Sequence, residues 1–321
     1  MSAKPPTWPD YQLLDFGGGR KLERFGGATF DRPCPAAADV KPRLTDWQAD
    51  ATYTGAKVGD GRWKSSPRTA SASSESGAID VPVAGRLSFR VQIELSPAGQ
   101  VGLFPEQFAN WRWIANRLAR AGRPLRVLNL FAYTGGSTLA AAAGAELPRP
   151  SLDLSAYTGE YVLRDAEGSA NHVEVTHVDA SKPSVALARR NAELSGLSKA
   201  PIRWIVEDAV KYCRREVKRG ARYDAVILDP PSYGHGPKGE EWKLARDLPA
   251  LLELCGELTE RAPTFFLATC HTPGVGPAEL SAYLSDAIVG HCGQPPAAGR
   301  LMLTTPDERQ LESGVYARWP R

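Results

Sequence analysis

The stretch YDAVILDPPSY, residues 223–233, decides the fold because it joins a buried strand to an acidic, proline-rich corner. Residues 225–228 form a short apolar, partly β-branched run, which is typical of a parallel strand covered by helices on both faces. Asp229 follows at the carboxyl end of that strand, where open α/β sheets bind their ligands. The two prolines fix the backbone and leave carbonyl acceptors, and Tyr233 offers a face for stacking. Taken alone, these residues would be explained equally well by a strand followed by a plain proline turn.

A second strand and a glycine loop lie about a hundred residues upstream. Residues 125–131, LRVLNLF, run into AYTGG at 132–136 and then into an alanine-rich helix. The glycines let a ligand approach the backbone, and we expect Ser137 or Thr138 to cap the helix, whose free N–H groups favour a carboxylate. Neither G-x-G-x-x-G nor G-x-x-x-x-G-K-[ST] occurs, which argues against a dinucleotide fingerprint and a phosphate loop. A structural turn is the alternative.

Two further acids end predicted strands. Residues 173–178 alternate like a strand and lead to Asp179, where a carboxylate typically accepts hydrogen bonds from ribose hydroxyls. Residues 202–206 form a short apolar strand before Asp208, which could accept a hydrogen bond from an adenine amine. Each acid alone is more often a helix cap. The succession of strands ending in suitable groups favours a binding edge.

The motifs LNLFAYTGG, HVDASKP, VEDA and DPPSY together resemble class I S-adenosylmethionine-dependent methyltransferases. More narrowly, the chain resembles the bacterial large-subunit (23S) ribosomal RNA base methyltransferases. The resemblance covers roughly residues 100–321. It implies an α/β, Rossmann-like sheet of about seven strands with the last one antiparallel, preceded by a small β-rich N-terminal domain.

The resemblance also implies the site residues. S-adenosyl-L-methionine is the expected cofactor, with its methionine part on the glycine loop, its ribose at Asp179 and its adenine at Asp208. The expected cofactor-binding residues are Phe104, Gln107, Phe131, Ala132, Tyr133, Thr134, Gly135, Gly136, Asp179, Ala180, Ser181, Asp208, Ala209 and Asp229. The residues expected to face the methyl group and the target base are Asp229, Pro230, Pro231 and Tyr233.

A cysteine near a fifth predicted strand is a candidate nucleophile. Residues 263–268, PTFFLA, lead to Cys270 and His271, which places the thiol at the same rim as Asp229. Methylation of carbon 5 of a pyrimidine needs a thiolate to add to carbon 6, and His271 could help to lower the thiol pKa. Relatives acting on cytosine carbon 5 carry a cysteine at this place. The alternative is a buried structural cysteine, with methylation directed to a nitrogen.

Composition bounds the remaining choices. The chain has 321 residues, is 42% hydrophobic and 23% charged, and carries a net charge of +3, so it has room for two domains. No apolar run is long enough to cross a membrane, and the start MSAKPPTWPD lacks the apolar core of a signal peptide, so a cytoplasmic location is expected. Five cysteines without C-x-x-C spacing give no metal signature. The small net charge means that RNA contacts must come from local patches.

The predicted organisation has a β-rich domain at 1–100, a candidate for RNA binding, and a methyltransferase domain at 101–321. Residues 147–171 form a predicted insertion to which no function is assigned, and residues 234–239 a glycine-rich candidate lid. Basic segments that could contact phosphates lie at 211–222 and near the start, where Arg20, Lys21 and Arg24 occupy a predicted hairpin. For 211–222 an ordinary solvated helix face is the alternative.

The sequence therefore predicts a methyltransferase acting on a nucleobase of RNA, with ribosomal RNA as the partner. A nitrogen-directed enzyme, a non-catalytic RNA-binding assembly factor and a small-molecule methyltransferase stay open as alternatives. A nicotinamide dehydrogenase is disfavoured by the missing glycine fingerprint. The oligomeric state, including a homo-oligomer, is left open.

Overall fold

The structure is a computed structural model that describes residues 8–57, 59–65, 77–85, 87–145, 172–235, 241–290 and 294–320. The chain forms two compact units. The first comprises residues 1–82, 90–108 and 301–313, and the second comprises residues 83–89, 109–300 and 314–321. The predicted insertion at 147–171 lies outside the described residues. The predicted domain boundary at residue 100 stays a prediction.

Strands and helices are numbered in chain order. In the described residues the strands are β1 (Tyr11–Gly17), β2 (Arg20–Phe25), β3 (Ala28–Pro33), β4 (Ala51–Tyr53), β5 (Trp63–Ser65), β6 (Ala78–Ala84), β7 (Leu87–Gln92), β8 (Leu125–Leu130), β9 (Val173–Asp179), β10 (Ile202–Val206), β11 (Ala225–Leu228), β12 (Tyr233–His235), β13 (Glu241–Lys243), β14 (Phe265–Cys270), β15 (Ala297–Thr304) and β16 (Gln310–Trp319). The helices are α1 (Phe108–Ala119), α2 (Gly136–Ala145), α3 (Lys182–Leu194), α4 (Ala209–Lys218), α5 (Leu244–Leu258) and α6 (Pro277–Leu284), and α6 continues as a wider π turn, Ser285–Val289.

A seven-stranded sheet with the order β10-β9-β8-β11-β14-β16-β15 carries the second unit. The strands from β10 to β14 pair in parallel, and β16 pairs antiparallel to β14. The strand order reverses beside β8, because β9 and β10 follow on one side of it and β11 and β14 on the other. Open α/β sheets bind their ligands at such a switch point. The predicted seven-stranded sheet with its last strand antiparallel is confirmed.

The central strands β8, β11 and β14 are largely apolar and buried because helices cover both faces of the sheet. On one face Leu128 and Val226 join a buried cluster to which α4, α5 and α6 also contribute. On the other face Trp113 of α1 meets the Phe265 ring edge-on, with centroids 5.5 Å apart. Strand β11, which is buried and apolar throughout, has the bounds that the sequence predicts.

Helix α2 consists largely of alanine and glycine because it packs against its neighbours without space for larger side chains. A Cβ at Gly144 would lie 2.6 Å from the Cα of Ala115, and one at Gly136 would lie 2.7 Å from the Trp111 ring. Both glycines therefore permit a close approach of α1 and α2. In the described residues no helix has the length and apolar character needed to cross a membrane.

The first unit contains a five-stranded sheet with the order β1-β2-β3-β4-β5, and the predicted hairpin near the start is confirmed as β1 and β2. Its interior holds a buried carboxylate, Glu23, which pairs with Lys21 at 3.1 Å and Arg32 at 2.7 Å. Burial opposes ionisation of Glu23, but Arg32 and Lys21 outweigh it and lower its pKa to about 2. Because Lys21 is 7% exposed and committed to this pair, it is a poor candidate for a phosphate contact.

Candidate functional site

The glycine loop between β8 and α2 has a strained backbone. Phe131 and Tyr133 have positive φ angles of 54° and 48°, and Gly135 has a φ of 93°. Non-glycine residues with positive φ are uncommon and concentrate at functional sites. Helix α2 begins at Gly136, so Ser137 and Thr138 lie inside its first turn. The prediction that one of them caps the helix is therefore wrong, because the helix begins before either residue.

Asp179 ties the end of β9 to the glycine loop. Its Oδ2 accepts a hydrogen bond from the Tyr133 N–H at 2.8 Å, and its Oδ1 accepts one from the Ser181 N–H at 2.8 Å. Burial raises the pKa of Asp179, and these two backbone bonds oppose the rise. A carboxylate can accept several hydrogen bonds, so the Asp179 oxygens keep acceptor capacity for hydroxyl groups. The structure thus brings the loop and this acid together, as the sequence predicts.

A buried histidine lies next to the glycine loop and supports it, and the sequence analysis did not identify this residue. His177 of β9 contacts the Thr138 hydroxyl through Nδ1 at 2.9 Å, and Thr138 in turn accepts a bond from the Asn129 amide at 2.8 Å. The His177 Cε1 atom would lie 3.9 Å from a Cβ at Gly135. Burial, with a contribution from Arg189, lowers the His177 pKa to about 3, so the imidazole is neutral. A histidine in the predicted strand 173–178, between Thr176 and Val178, was the available signal.

Asp208 lies at the start of α4, beside the end of β9. Its Oδ1 accepts a hydrogen bond from the Lys211 N–H at 2.9 Å, which makes it the N-cap of α4. The parallel register pairs Val206 with Asp179, so the two predicted cofactor acids end adjacent strands. Ala209 is buried at the first position of the helix. Capping and ligand contact are compatible, because the cap uses one oxygen of the carboxylate.

Asp229 lies at the centre of the carboxyl edge. Strand β11 pairs Leu228 with Leu130 on one side and with Ala268 on the other, which puts Asp229 between the glycine loop and the end of β14. Its Oδ1 accepts a hydrogen bond from the Thr269 hydroxyl at 2.5 Å and lies 3.3 Å from Nε2 of His271. Asp229 is thereby fixed in orientation from the β14 side.

Gly314 leaves the space that His271 occupies. A Cβ at Gly314 would lie 2.7 Å from the His271 Nδ1 atom and 2.8 Å from the carbonyl oxygen of Cys270, and the φ of Gly314 is 130°. Any larger residue here would collide with the imidazole. The His271 ring is therefore held between Asp229 and the backbone of β16.

The proline corner is braced by a tryptophan that the sequence did not point to. The carbonyl of Pro231 accepts a hydrogen bond from Nε1 of Trp242 at 2.7 Å, and the Trp242 ring lies 5.0 Å from the Phe131 ring. Tyr233 is 50% exposed, and its hydroxyl lies 3.4 Å from a Glu241 carboxylate oxygen. The corner thus joins the glycine loop through two aromatic rings, and it presents a third at the surface.

Cys270 lies at the end of β14 but faces the protein interior. It is 1% exposed and belongs to the apolar cluster beneath the sheet. Its sulfur accepts a hydrogen bond from the Thr272 N–H at 3.4 Å, and the Thr272 hydroxyl donates to the Ser232 hydroxyl at 2.9 Å. The predicted proximity to Asp229 follows from the strand pairing, whereas a role as nucleophile stays a prediction.

Two predicted elements contribute less to the described site. Phe104 and Gln107 belong to the first unit, where residues Pro105–Gln107 form a short 3₁₀ turn ahead of α1, and their cofactor contact stays a prediction. The candidate lid begins as the β12–β13 hairpin, in which His235 pairs with Glu241. Its residues 236–240 lie outside the described chain.

The basic segment at 211–222 forms α4 and the turn that follows it. Three of its arginines, Arg215, Arg219 and Arg222, each pair with a nearby acid. These three cations are part of the local surface structure.

Comparison with known proteins identifies the class to which the chain belongs. The chain is 32% identical to the S-adenosylmethionine-dependent methyltransferase from Agrobacterium tumefaciens, with a TM-score of 0.77 over 98% of this chain and 94% of that one. It is 18% identical to SMU.776, solved in complex with S-adenosylhomocysteine, with a TM-score of 0.63 over 96% of this chain and 75% of that one. This second likeness concerns the fold alone. No family model matches the chain.

Similarity in sequence extends to proteins named ribosomal RNA large subunit methyltransferase I. The protein of that name from Tolumonas auensis is 31% identical over 144 residues, which are 45% of this chain and 29% of the relative. The one from Aeromonas salmonicida is 35% identical over 82 residues, 26% of this chain and 20% of the relative. The matched segments thus span less than a third of either relative.

Proposed function

Because the chain belongs to the S-adenosylmethionine-dependent methyltransferases, we propose that it transfers the cofactor's methyl group to a base of large-subunit ribosomal RNA. The observation that carries the proposal is the position of the Asp229 corner directly beside the glycine loop, set by the pairing of Leu228 with Leu130. A donor bound on the loop and a base held at the corner would meet at one edge of the sheet.

The residues present fit the cofactor. The start of α2 and the open backbone of the glycine loop suit the carboxylate of its methionine part. Asp179, with acceptor capacity left after its two backbone bonds, would accept from the ribose hydroxyls. Asp208, one strand further along, would accept from the adenine amine. When bound, the cofactor supplies an electrophilic methyl group.

The protein's own contribution would be positioning. Asp229 accepts hydrogen bonds from its support at Thr269 and is contacted by His271, so its carboxylate is already oriented before a base arrives. Pro230 and Pro231 make the corner rigid, since neither can change its φ angle. Holding the attacking atom in line with the methyl group replaces a chance encounter by a fixed geometry, which can supply much of the rate enhancement.

The burial of Cys270 favours a nitrogen of the base as the acceptor over carbon 5 of cytosine. A nucleophilic thiolate must reach carbon 6 of the pyrimidine, but the Cys270 side chain is 1% exposed and surrounded by apolar groups. Asp229, in contrast, lies at the open edge and can accept a hydrogen bond from an exocyclic amine. We therefore place nitrogen-directed transfer first and covalent transfer through Cys270 second.

The names of the relatives support RNA as the substrate. The similar segments from Tolumonas and Aeromonas belong to proteins named for ribosomal RNA, and base-directed enzymes need groups that hold a planar ring. The exposed Tyr233 beside the proline corner offers a stacking surface of the kind that RNA-binding sites use.

The test compares nucleosides of large-subunit ribosomal RNA from strains with and without the protein, by mass spectrometry. We expect one methylated nucleoside to disappear in its absence. Wild type and Cys270→Ser should restore it, and Asp229→Ala should not. Loss of the modification in Cys270→Ser would move the covalent mechanism to first place. An identical nucleoside profile in all strains would contradict the proposal and favour the assembly factor or a small-molecule substrate.

A further inference from the structure

A groove lies along α4 beside the proposed base corner. It encloses a cavity of about 660 Å³ whose lining includes Asp208, Lys218 and Trp242. Trp242 donates its indole N–H to the carbonyl of Pro231 at 2.7 Å. One wall of the groove is therefore fixed to the same corner that would hold the target base.

The cations along this groove share one face of the helix. Lys211, Arg214 and Lys218 line the cavity and are exposed, and their spacing of three and then four residues puts them on one side of α4. In the part of the chain that the structure describes, none of them forms an ion pair. At 1.5 Å per residue the row spans about 10 Å, the rise of about three stacked nucleotides at 3.4 Å each.

Three of the four acids of the lining do not neutralise this row, because other cations already hold them. Glu207 pairs with Arg215. Glu241 pairs with Lys243, at 3.2 Å, and Asp247 pairs with Arg246, at 2.8 Å. Asp208, the N-cap of α4, is the fourth acid and sets one negative charge against the three cations of the row. The groove thus presents more positive charge than its carboxylates neutralise.

We propose that this groove binds the phosphodiester backbone of the single-stranded RNA segment that carries the target base. The inference rests on the proposed function and deepens it, because it identifies where the nucleotides next to the target lie. Enzymes that act on a base take it out of the stack, so the flanking backbone must be held close to the reaction corner. Phosphate contacts fix the position of a strand without reading its sequence. A row of exposed cations in a groove that Trp242 also lines meets both requirements.

The experiment compares two matched double variants. Arg214→Gln with Lys218→Gln removes two cations of the groove, and Arg120→Gln with Lys199→Gln removes one arginine and one lysine from exposed positions on other elements. Binding of a fluorescent oligouridylate is measured as a function of salt. Each lost phosphate contact should reduce the slope of log K against log salt by about 0.7, so the groove variant should lose about 1.4. The control variant should keep the wild-type slope.

Further measurements separate the possible causes. For the groove variant we expect a several-fold higher KM for ribosomal RNA, with kcat and the affinity for S-adenosylmethionine unchanged. Unchanged cofactor affinity also shows that the variant is folded. The charge-conserving exchange Arg214→Lys with Lys218→Arg should keep the wild-type slope, since phosphate neutralisation depends on charge.

Failure of the groove proposal and failure of the proposed function would give different results. A groove variant whose salt slope and KM match the control would overturn the groove and leave the proposed function standing. A wild-type protein that binds oligouridylate with the steep, groove-dependent slope but methylates no RNA would overturn the proposed function instead.

Discussion

The orientation of the Asp229 carboxylate depends on individual contacts with two neighbouring side chains. Its carboxylate is contacted by the Thr269 hydroxyl and by the His271 imidazole, which stands 3.3 Å away. Bonds to charged groups are stronger than neutral ones, so this pair of contacts determines how steadily the carboxylate faces the substrate.

The first prediction concerns His271. His271→Ala should lower kcat for RNA methylation by about tenfold or more, since a hydrogen bond to a charged group contributes about 1.5–3 kcal/mol. His271→Gln, whose amide can donate to Asp229, should keep most of the activity. Initial rates at saturating cofactor give both values.

Gly314→Ala is the companion variant, because its methyl group would displace the imidazole. It should reproduce the kcat loss of His271→Ala with cofactor affinity retained. Full activity in His271→Ala would show that Asp229 needs no support from this side.

The second prediction concerns His177. Its pKa falls from 6.5 to about 3 in the folded state, so below about pH 6.5 the unfolded chain binds more protons than the folded one. The free energy of unfolding should therefore fall with decreasing pH through this window, by about 2 kcal/mol at pH 5 from this residue. Urea unfolding near pH 7.5 and pH 5 measures the change.

The control is His177→Asn, which keeps a polar group beside Thr138 but does not titrate. Its pH dependence over the same window should be shallower than that of the wild type. Equal pH dependence in both proteins would mean that the folded imidazole is not protected from protonation.

At the scale of elements, the packing of α1 against α2 requires that residue 144 has no side chain. A Cβ at Gly144 would approach the Ala115 Cα to 2.6 Å and its carbonyl oxygen to 2.9 Å. At an open helical position the change from glycine to alanine would stabilise the helix by about 1 kcal/mol. Here we expect Gly144→Ala to lower the free energy of unfolding by about 1–3 kcal/mol, the usual cost of overpacking. A gain in stability by urea unfolding would contradict this packing.

The sequence predicts these elements unevenly, and the reason is physical. Strands β10 and β11 have the predicted bounds because each is a short apolar run with a polar residue at its carboxyl end. Strand β15, Ala297–Thr304, is harder to recognise in the sequence, because its first half contains small residues and an exposed arginine in place of an apolar run. Helix α6 continues as a π turn after Leu284, which no pattern in the sequence indicates.

The sequence predicts some residues of the site and misses others for the same reason. The glycine loop and the acids that end strands were predictable, since each follows a strand in the sequence. The link from Asn129 through Thr138 to His177 was not, because it joins three elements that meet only in the folded sheet. The bond between Trp242 and Pro231 is also tertiary, and a tryptophan in a short polar stretch gives no signal of it.

At the scale of the molecule, the first unit is assembled from separate parts of the chain. Arg309 pairs with Asp15, which also accepts a hydrogen bond from the Trp47 indole. Leu303 and Leu311 belong to the same buried cluster as Leu13. Such pairings depend on the fold, and no local pattern in the sequence indicates them.

This assembly predicts the behaviour of a shortened chain. A fragment of residues 101–321 keeps Leu303 and Leu311, which are buried in the full protein, but lacks the residues that cover them. We expect the fragment to bind a hydrophobic dye and to aggregate at concentrations at which the full chain does not. A monomeric fragment that binds no dye would contradict this account. Loss of RNA binding in the fragment would therefore not by itself assign RNA binding to the first unit.

The most direct test of the central claim is transfer of a labelled methyl group from S-adenosylmethionine to ribosomal RNA in vitro. The RNA should come from a strain that lacks the protein, so that its target is unmodified. We predict label that nuclease releases and protease does not, with Asp229→Ala inactive although it remains folded. Absence of label in the RNA, with cofactor binding intact, would contradict the claim that this methyltransferase acts on RNA.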